Sequence, residues 1–121
     1  MPIHESGEMY LETILILKNE GNTVREIDIA KYMGYSKPAV SRALNKLREN
    51  AMIVVDGNGY IDFTDAGKEI ADKIYRKHIV FAEFIMRLGV DEETAVADAC
   101  KIEHVISDKT FEAILRHAEN H

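Results

Sequence analysis

Apolar positions recur every three to four residues along most of the chain, the period of an α-helix with one buried face. In "GEMYLETILILKNEG", Met9, Leu11, Ile14, Leu15 and Leu17 approximate such a stripe, with Ser6 placed to cap the helix and Gly21 to stop it. "TVREIDIAKYMG" predicts an extended entry at Thr23 and Val24, then a short helix with Ile27, Ile29, Ala30 and Met33 largely inward and Gly34 at its end. In "YSKPAVSRALNKLRENA", Ser36 is the expected N-cap and Pro38 is tolerated in the first turn, where backbone N–H groups lack helical partners. Val40, Ala43, Leu44 and Leu47 form its buried stripe, and Lys37, Ser41, Arg42, Asn45 and Lys46 its outer face. Two short helices joined through a glycine, the second polar and basic outside, form a helix-turn-helix pattern.

The period then changes. "MIVVDGNGYIDFT" places two β-prone runs around "DGNG", a hairpin signal because asparagine and glycine accept the positive φ of tight turns. Helix-turn-helix plus hairpin predicts a winged helix, whose second helix enters the DNA major groove while the wing meets phosphate. Thr64 is placed to cap a long helix from Asp65 to Leu88 carrying Ile70, Ile74, Ile79, Phe81, Phe84, Ile85 and Leu88. "GVDEE" ends it and opens another helix, and Ser107 caps a last one in "SDKTFEAILRHAEN". The expected fold is mainly α: a winged helix-turn-helix with a two-stranded wing over residues 1–70, then a helical domain over 71–121, joined within one continuous helix.

A formal charge of −6 argues against indiscriminate affinity for nucleic acid, but charge is unevenly placed. Between Ser36 and Asn50 stand Lys37, Arg42, Lys46 and Arg48 against one acid, Glu49, so a basic face survives on an acidic protein. The candidate DNA contacts are Ser36, Lys37, Pro38, Ala39, Ser41 and Arg42, with Arg42 placed to read guanine and Lys46 nearer phosphate. No apolar run is long enough for a membrane span and no secretory leader opens the chain; with one cysteine, this predicts a cytoplasmic, disulfide-free protein.

The cysteine stands in "DACKIEH", where Cys100, Glu103 and His104 are spaced to share one face of a helix. Sulfur, oxygen and nitrogen together suit a first-row transition metal, whereas magnesium or calcium would take oxygen alone. His78 on the preceding helix, and Met9 with Glu12 one turn apart on the first helix, are further candidate ligands. Each has a plainer reading: Met9 as core, Glu12 as a solvated acid, His78 as a polar edge. His4, His117 and His121 receive no role.

"GEMYLETI", "SKPAVSRALNKLRENAMIVV", "YIDFTDAGKEIADKIYRKH", "LGVDEE" and "DACKIEHVISD", in this order, resemble the metal-dependent repressors typified by the diphtheria toxin repressor and the manganese transport regulator. The resemblance covers essentially the whole chain. It implies that Met9, Cys100, Glu103 and His104 match the primary site of the iron-responsive branch, while Glu12 and His78 match ligands of the manganese branch. Of the iron branch's ancillary site, His78 is kept, but Ala82 and Val96 stand where a carboxylate and a histidine are expected, and Glu83 is one residue out of phase. The resemblance further implies a homodimer through the C-terminal helices, bound to palindromic operator DNA, with the helical domain serving metal binding and dimerisation. With the chain ending soon after the last helix, no SH3-like domain is expected.

The expected function is therefore a metal-responsive repressor of metal-uptake genes, in which an ion linking the first helix to the C-terminal domain restricts how the winged helices swing. Thiolate and thioether, softer than carboxylates, move preference toward iron(II), cobalt, nickel or zinc and away from manganese(II); intrinsic affinity does not name the cellular metal, for which iron(II) is favoured and manganese(II) is second. A winged-helix module for protein partners, or a regulator indifferent to metal, is the competing reading, and the basic recognition face weighs against the former. A small non-haem iron enzyme is less favoured, since no acid, base or substrate cleft is recognisable.

Overall fold

The computed structural model describes the backbone of residues 5–21 and 23–120, and the side chains of 7–21 and 23–120. His4 and His121 lie outside these residues, as does the side chain of Ser6. The elements are α1 (Glu5–Asn19), α2 (Glu26–Met33), α3 (Lys37–Glu49), β1 (Ile53–Val55), β2 (Ile61–Phe63), α4 (Asp65–Arg87), α5 (Glu92–Ile102) and α6 (Asp108–Asn120). They divide into two compact units, Met1–Asp72 and Lys73–His121, and the division falls inside α4.

In the first unit α1 packs on α2 and α3, and α3 packs on α2 and β1. Leu11, Ile14 and Leu15 of α1, Val24, Ile29 of α2, and Val40, Leu44 and Leu47 of α3 are buried, with Ile53 and Ile61 of the wing. Each fully buried aliphatic side chain contributes roughly 1.5–3 kcal/mol relative to exposure. Helix ends follow local chemistry. Gly21 and Gly34 take the left-handed conformation (φ 86° and 70°) that ends α1 and α2. At α3, Ser36 Oγ accepts from Ala39 N–H at 3.3 Å, with Pro38 in the first turn. Ser6, by contrast, already has helical backbone.

The wing pairs antiparallel in the register Ile53 with Phe63, Val54 with Asp62 and Val55 with Ile61, so Ile53 and Ile61 face inward while Val54 and Asp62 face solvent. Ile61 N–H also donates to the Val24 carbonyl at 2.8 Å, which pins the extended entry of α2 against β2. At the tip Asp56 Oδ1 accepts from the N–H groups of Asn58 (2.8 Å) and Tyr60 (2.9 Å). Gly59 alone there takes a positive φ, of 83°; the side-chain turn made by Asp56 spares Asn58 from doing so. Thr64 Oγ1 accepts from Gly67 N–H at 3.1 Å, capping α4, and donates to the Ala51 carbonyl at 2.6 Å.

The second unit builds its core from Phe81 and Ala82 of α4, Ala99 of α5 and Phe111 of α6, flanked by Val80, Met86, Ile102, Ile106, Ile114 and Leu115. Asp91 caps α5 by accepting from Thr94 N–H at 2.9 Å, and Ser107 caps α6 by accepting from Thr110 N–H at 3.2 Å. Three residues of the expected apolar stripes face outward instead. Ile27 is 45% exposed, because it precedes Ile29 by two residues, about 200° around the helix, and both cannot face the core. The same offset from Phe81 turns Ile79 outward, and Leu88 lies past the last helical residue.

Lys77 is only 7% exposed, with its ammonium 3.1 Å from Asp108 and over the Phe111 ring; Lys73 reaches the same carboxylate at 2.8 Å. Hydrogen bonds from Lys73 and then Lys77 hold the Asp108 carboxyl below the usual carboxylate range. A lowered folded-state value stabilises above the unfolded carboxylate's pKa and is lost as pH falls through the folded one. Asp108→Asn is therefore expected to lower the melting temperature at neutral pH and to flatten the acid limb of the stability profile, measured by thermal melts from pH 7 to pH 2. An unchanged acid limb would rule this out.

Candidate metal centre and nucleic-acid interface

In the second unit the C-terminal end of α5 gathers the donors. Ala99 is fully buried in the core and fixes the rotation of the helix, which leaves Cys100 half-buried beside it. Helix α5 ends at Ile102, so Glu103 and His104 stand beyond it rather than on its face. Their placement still follows helical spacing, since Glu103 keeps helical angles (φ −59°, ψ −25°) and its N–H donates to the Ala99 carbonyl at 3.0 Å. Bonds from the N–H groups of Val105 and Ile106 to the Ile102 carbonyl, both 3.1 Å, then turn the chain and hold His104 against the carboxylate.

One donor atom each from Cys100, Glu103 and His104 lie within 4.8 Å of one another. The Glu103 side chain is completely excluded from solvent. Its Oε2 lies 2.9 Å from His78 Nδ1 on α4, and its Oε1 lies 3.3 Å from His104 Nε2 but has no hydrogen bond among the described residues. At that contact the carboxylate accepts when the imidazole carries its proton on Nδ1. The His78 ring stacks on Tyr75 with an interplanar angle of 17°.

A buried carboxylate oxygen without a hydrogen bond is costly unless positive charge meets it. A thiol, that carboxylate oxygen and an imidazole converging on one spot fit a divalent first-row transition ion, which accepts sulfur, oxygen and nitrogen together. In the first unit, Met9 and Glu12 stand one turn apart on α1. Met9 is half-buried, its carbonyl accepting from Thr13 Oγ1 at 2.9 Å, and Glu12 is only 6% exposed on a helix that also buries Leu11, Ile14 and Leu15. The positions that depart from the ancillary pattern carry no donor. Ala82 is buried in the core and Val96 is exposed, while Glu83 lines a groove with Phe84, Arg87, Leu115 and Glu119.

On α3, Lys37, Pro38, Arg42, Asn45 and Lys46 are exposed, Ala39 and Ser41 are half-buried, and the Ser36 hydroxyl is engaged as the cap. A hollow of about 290 Å³ within the first unit is lined by Arg25, Lys37, Ser41, Asn45 and Arg48 above Ile27 and Leu44. The Arg25 guanidinium sits 4.5 Å from the centre of the Tyr60 ring, a cation–π contact that presents it beside the wing. Sequence reasoning does not single out Arg25, which precedes a short helix without any periodic signal. Arg48 is visible there only as part of the basic run.

The chain matches two families in tandem: the iron dependent repressor N-terminal DNA binding domain over residues 3–61, and the iron dependent repressor metal binding and dimerisation domain over residues 64–120. It is 30% identical to the iron-dependent repressor IdeR of Mycobacterium leprae over 117 residues, which cover 96% of this chain and 51% of that protein. It is also 30% identical to the transcriptional regulator MntR of Salmonella typhimurium, over 93% of this chain and 71% of that one. The solved manganese regulator SloR superposes with a TM-score of 0.83 at 28% identity, covering 98% of this chain and 55% of that chain. The chain thus spans about half the length of the IdeR repressors it matches. With both halves matched in order and a relative matched over most of its length, the chain belongs to the metal-dependent repressor family of the diphtheria toxin repressor and manganese regulator type.

Proposed function

We propose that this protein is a cytoplasmic, metal-responsive transcriptional repressor that binds operator DNA as a homodimer through its C-terminal helices and controls metal-uptake genes. The observation that carries the reading is the convergence of the Cys100, Glu103 and His104 donors, with a carboxylate oxygen of Glu103 buried among them and not hydrogen-bonded to any described residue. That arrangement stands in a chain whose other unit presents an exposed basic helix beside a wing. Cys100, Glu103 and His104 would hold the ion. Met9 and Glu12 join the ligand set through the family's pattern, and His78 stands against Glu103. Ion occupancy changes DNA affinity only as far as the DNA-competent conformation binds the ion more tightly.

The thiolate favours iron(II) over manganese(II), so iron(II) is the first candidate for the sensed metal and manganese(II) the second. Duplexes selected by the protein from a random pool would be titrated under anaerobic conditions at buffered free iron(II), manganese(II) and zinc(II). Iron(II) is expected to raise affinity at least about tenfold, within the roughly 1–3 kcal/mol typical of coupling between sites, and Cys100→Ala to erase the response. Affinity indifferent to all three metals would sink the sensor reading.

Ser36, Lys37, Pro38, Ala39, Ser41, Arg42 and Lys46 are the proposed DNA contacts, at the exposed start of α3. Arg42→Ala should cost about 1–3 kcal/mol on the preferred duplex and relax its sequence preference. Lys46→Ala should weaken every duplex alike and reduce the slope of affinity against salt by about one. Equal losses of preference in both variants would contradict these roles.

A further inference from the structure

The hollow between α2, α3 and the wing carries an inference that rests on the operator-binding reading above and deepens it. We infer that this hollow seats the sugar–phosphate backbone of one DNA strand, with Arg25, the residue that caps α2, and Arg48 as phosphate contacts beside the reading face of α3. Lys37, Ser41, Asn45 and Arg48 recur at helical spacing and line the hollow along one flank of α3. Arg42 follows Ser41, and Lys46 follows Asn45, each about 100° farther around the helix. With Arg42 turned to base edges in a groove, that flank meets the strand bordering the groove, so Lys37 and Ser41 touch backbone rather than bases.

The charge and shape of the hollow fit this occupant. Among the described residues, no salt bridge engages Arg25, Lys37 or Arg48. Three cations therefore stand around one concavity in a chain whose net charge is −6, an arrangement that attracts phosphate locally. Ser41 and Asn45 add neutral donors at the rim. Beneath them Ile27, Leu44 and Ile61 give an apolar floor suited to the deoxyribose carbons on either side of a phosphate. Glu26 also lines the hollow, and its Oε1 is buried without a hydrogen bond to any described residue. Its carboxylate opposes a seated phosphate, so removing its charge acts in the opposite sense to removing an arginine.

Three contacts hold Arg25 ready. Its N–H donates to Asp28 Oδ2 at 2.9 Å, the preceding Val24 carbonyl accepts from Ile61 N–H at 2.8 Å, and its guanidinium lies 4.5 Å from the centre of the Tyr60 ring. The start of α2 and the start of β2 are thereby fastened together. A guanidinium laid over a ring engages the aromatic face and keeps its N–H edge for an anion, so Tyr60 is a positioning residue for Arg25.

The full chain, held at the metal concentration of its tightest DNA binding, is titrated with its selected duplex and with an unrelated one between about 50 and about 200 mM salt. Each lost phosphate contact lowers the slope of log affinity against log salt by about 0.9, which is about fivefold in affinity at about 0.15 M. Arg25→Gln and Arg48→Gln are each expected to show that loss per protomer on both duplexes alike, with the preference between them kept, while Arg25→Lys retains the wild-type slope. Glu26→Gln should bind both duplexes more tightly. Tyr60→Leu, which leaves every charge in place, should weaken binding about two- to fivefold with the slope unmoved. A neutral methylphosphonate placed at successive backbone positions should weaken the wild type most at the seated position, and Arg25→Gln should be insensitive there. Arg25 and Arg48 are exposed, and circular dichroism checks that their variants fold. Wild-type affinity and slope in both arginine variants, with Arg42→Ala still impaired, would overturn the inference and leave the repressor reading standing. Ribose 5-phosphate that binds through Arg25 while the salt slopes stay unchanged would assign the hollow to a soluble ester and overturn it as well. If the wild type binds neither duplex under any metal, the repressor reading fails, and this inference with it.

Discussion

Glu103→Gln is expected to abolish the metal response while leaving a folded protein. Glutamine keeps the volume of a side chain that has no solvent-exposed surface, and its carbonyl can still accept from His78 Nδ1–H. A neutral amide costs less to bury than a carboxylate with an oxygen that lacks a hydrogen bond, so the fold should keep its stability in metal-free buffer. The amide cannot supply an anionic oxygen to an ion. Affinity for cobalt(II) or iron(II) should fall by more than the roughly 10- to 100-fold that loss of a ligand's hydrogen-bond partner costs. DNA binding should then be the same with and without metal. The check is a competition titration against a metallochromic indicator, with circular dichroism to confirm the fold; wild-type metal affinity in this variant would remove Glu103 from the centre.

The second large effect lies in the first unit. Gly67→Ala is expected to destabilise the winged helix by about 3 kcal/mol, the upper end of what overpacking usually costs. A Cβ at Gly67 would stand 1.9 Å from the Met52 carbonyl oxygen and 2.8 Å from its carbon, both backbone atoms that no side-chain rotation can move. Relief requires the first turn of α4 to part from the residues that follow α3. Thr64 opposes this, because its hydroxyl is bonded both to the Ala51 carbonyl and to Gly67 N–H. Gly57→Ala is the control: at the wing tip an added Cβ would meet nothing within 4 Å and φ is not positive, so the change should be nearly silent. Urea unfolding of both variants checks the pair, and equal midpoints would refute the steric account.

Much of the first unit is legible in sequence because its signals are local. Ser36, Pro38, Gly34 and Thr64 act on backbone groups within four residues, so the boundaries of α2, α3 and α4 can be read from single positions. Contacts between segments distant in sequence cannot be read this way. Gly67 resembles an ordinary weak helix residue until the Met52 carbonyl is found against it, and Ala51 gives no hint of its left-handed φ of 59°. Periodicity also overstates burial on α2 and α4, where it assigns inward positions 200° apart and the fold must choose Ile29 over Ile27 and Phe81 over Ile79.

The candidate metal donors divide along the same line. Cys100, Glu103 and His104 are visible as a spacing because the chain keeps helical angles through Glu103, even though the helix has formally ended. The pairing of His78 with Glu103 spans 25 positions and has no local signature. Sequence proposes both residues as ligands but gives no sign that their side chains stand 2.9 Å apart. The buried Lys77, whose charge is met by Asp108 at the start of α6, is likewise invisible to any pattern that scores lysine as a surface residue.

The hydrogen bonds around the wing set how freely its tip can vary. Met52 N–H bonds the Leu47 carbonyl, Thr64 N–H bonds the Met52 carbonyl, and Asp56 N–H bonds the Tyr60 carbonyl. The hairpin is thus fastened at its root and again just below its crest, and above that point the N–H groups of Asn58 and Gly59 are tied back to Asp56. Residues 57–59 therefore form an exchangeable cassette: a longer or more cationic crest can be grafted there without displacing Ile53 or Ile61, so the crest can diversify independently of α3.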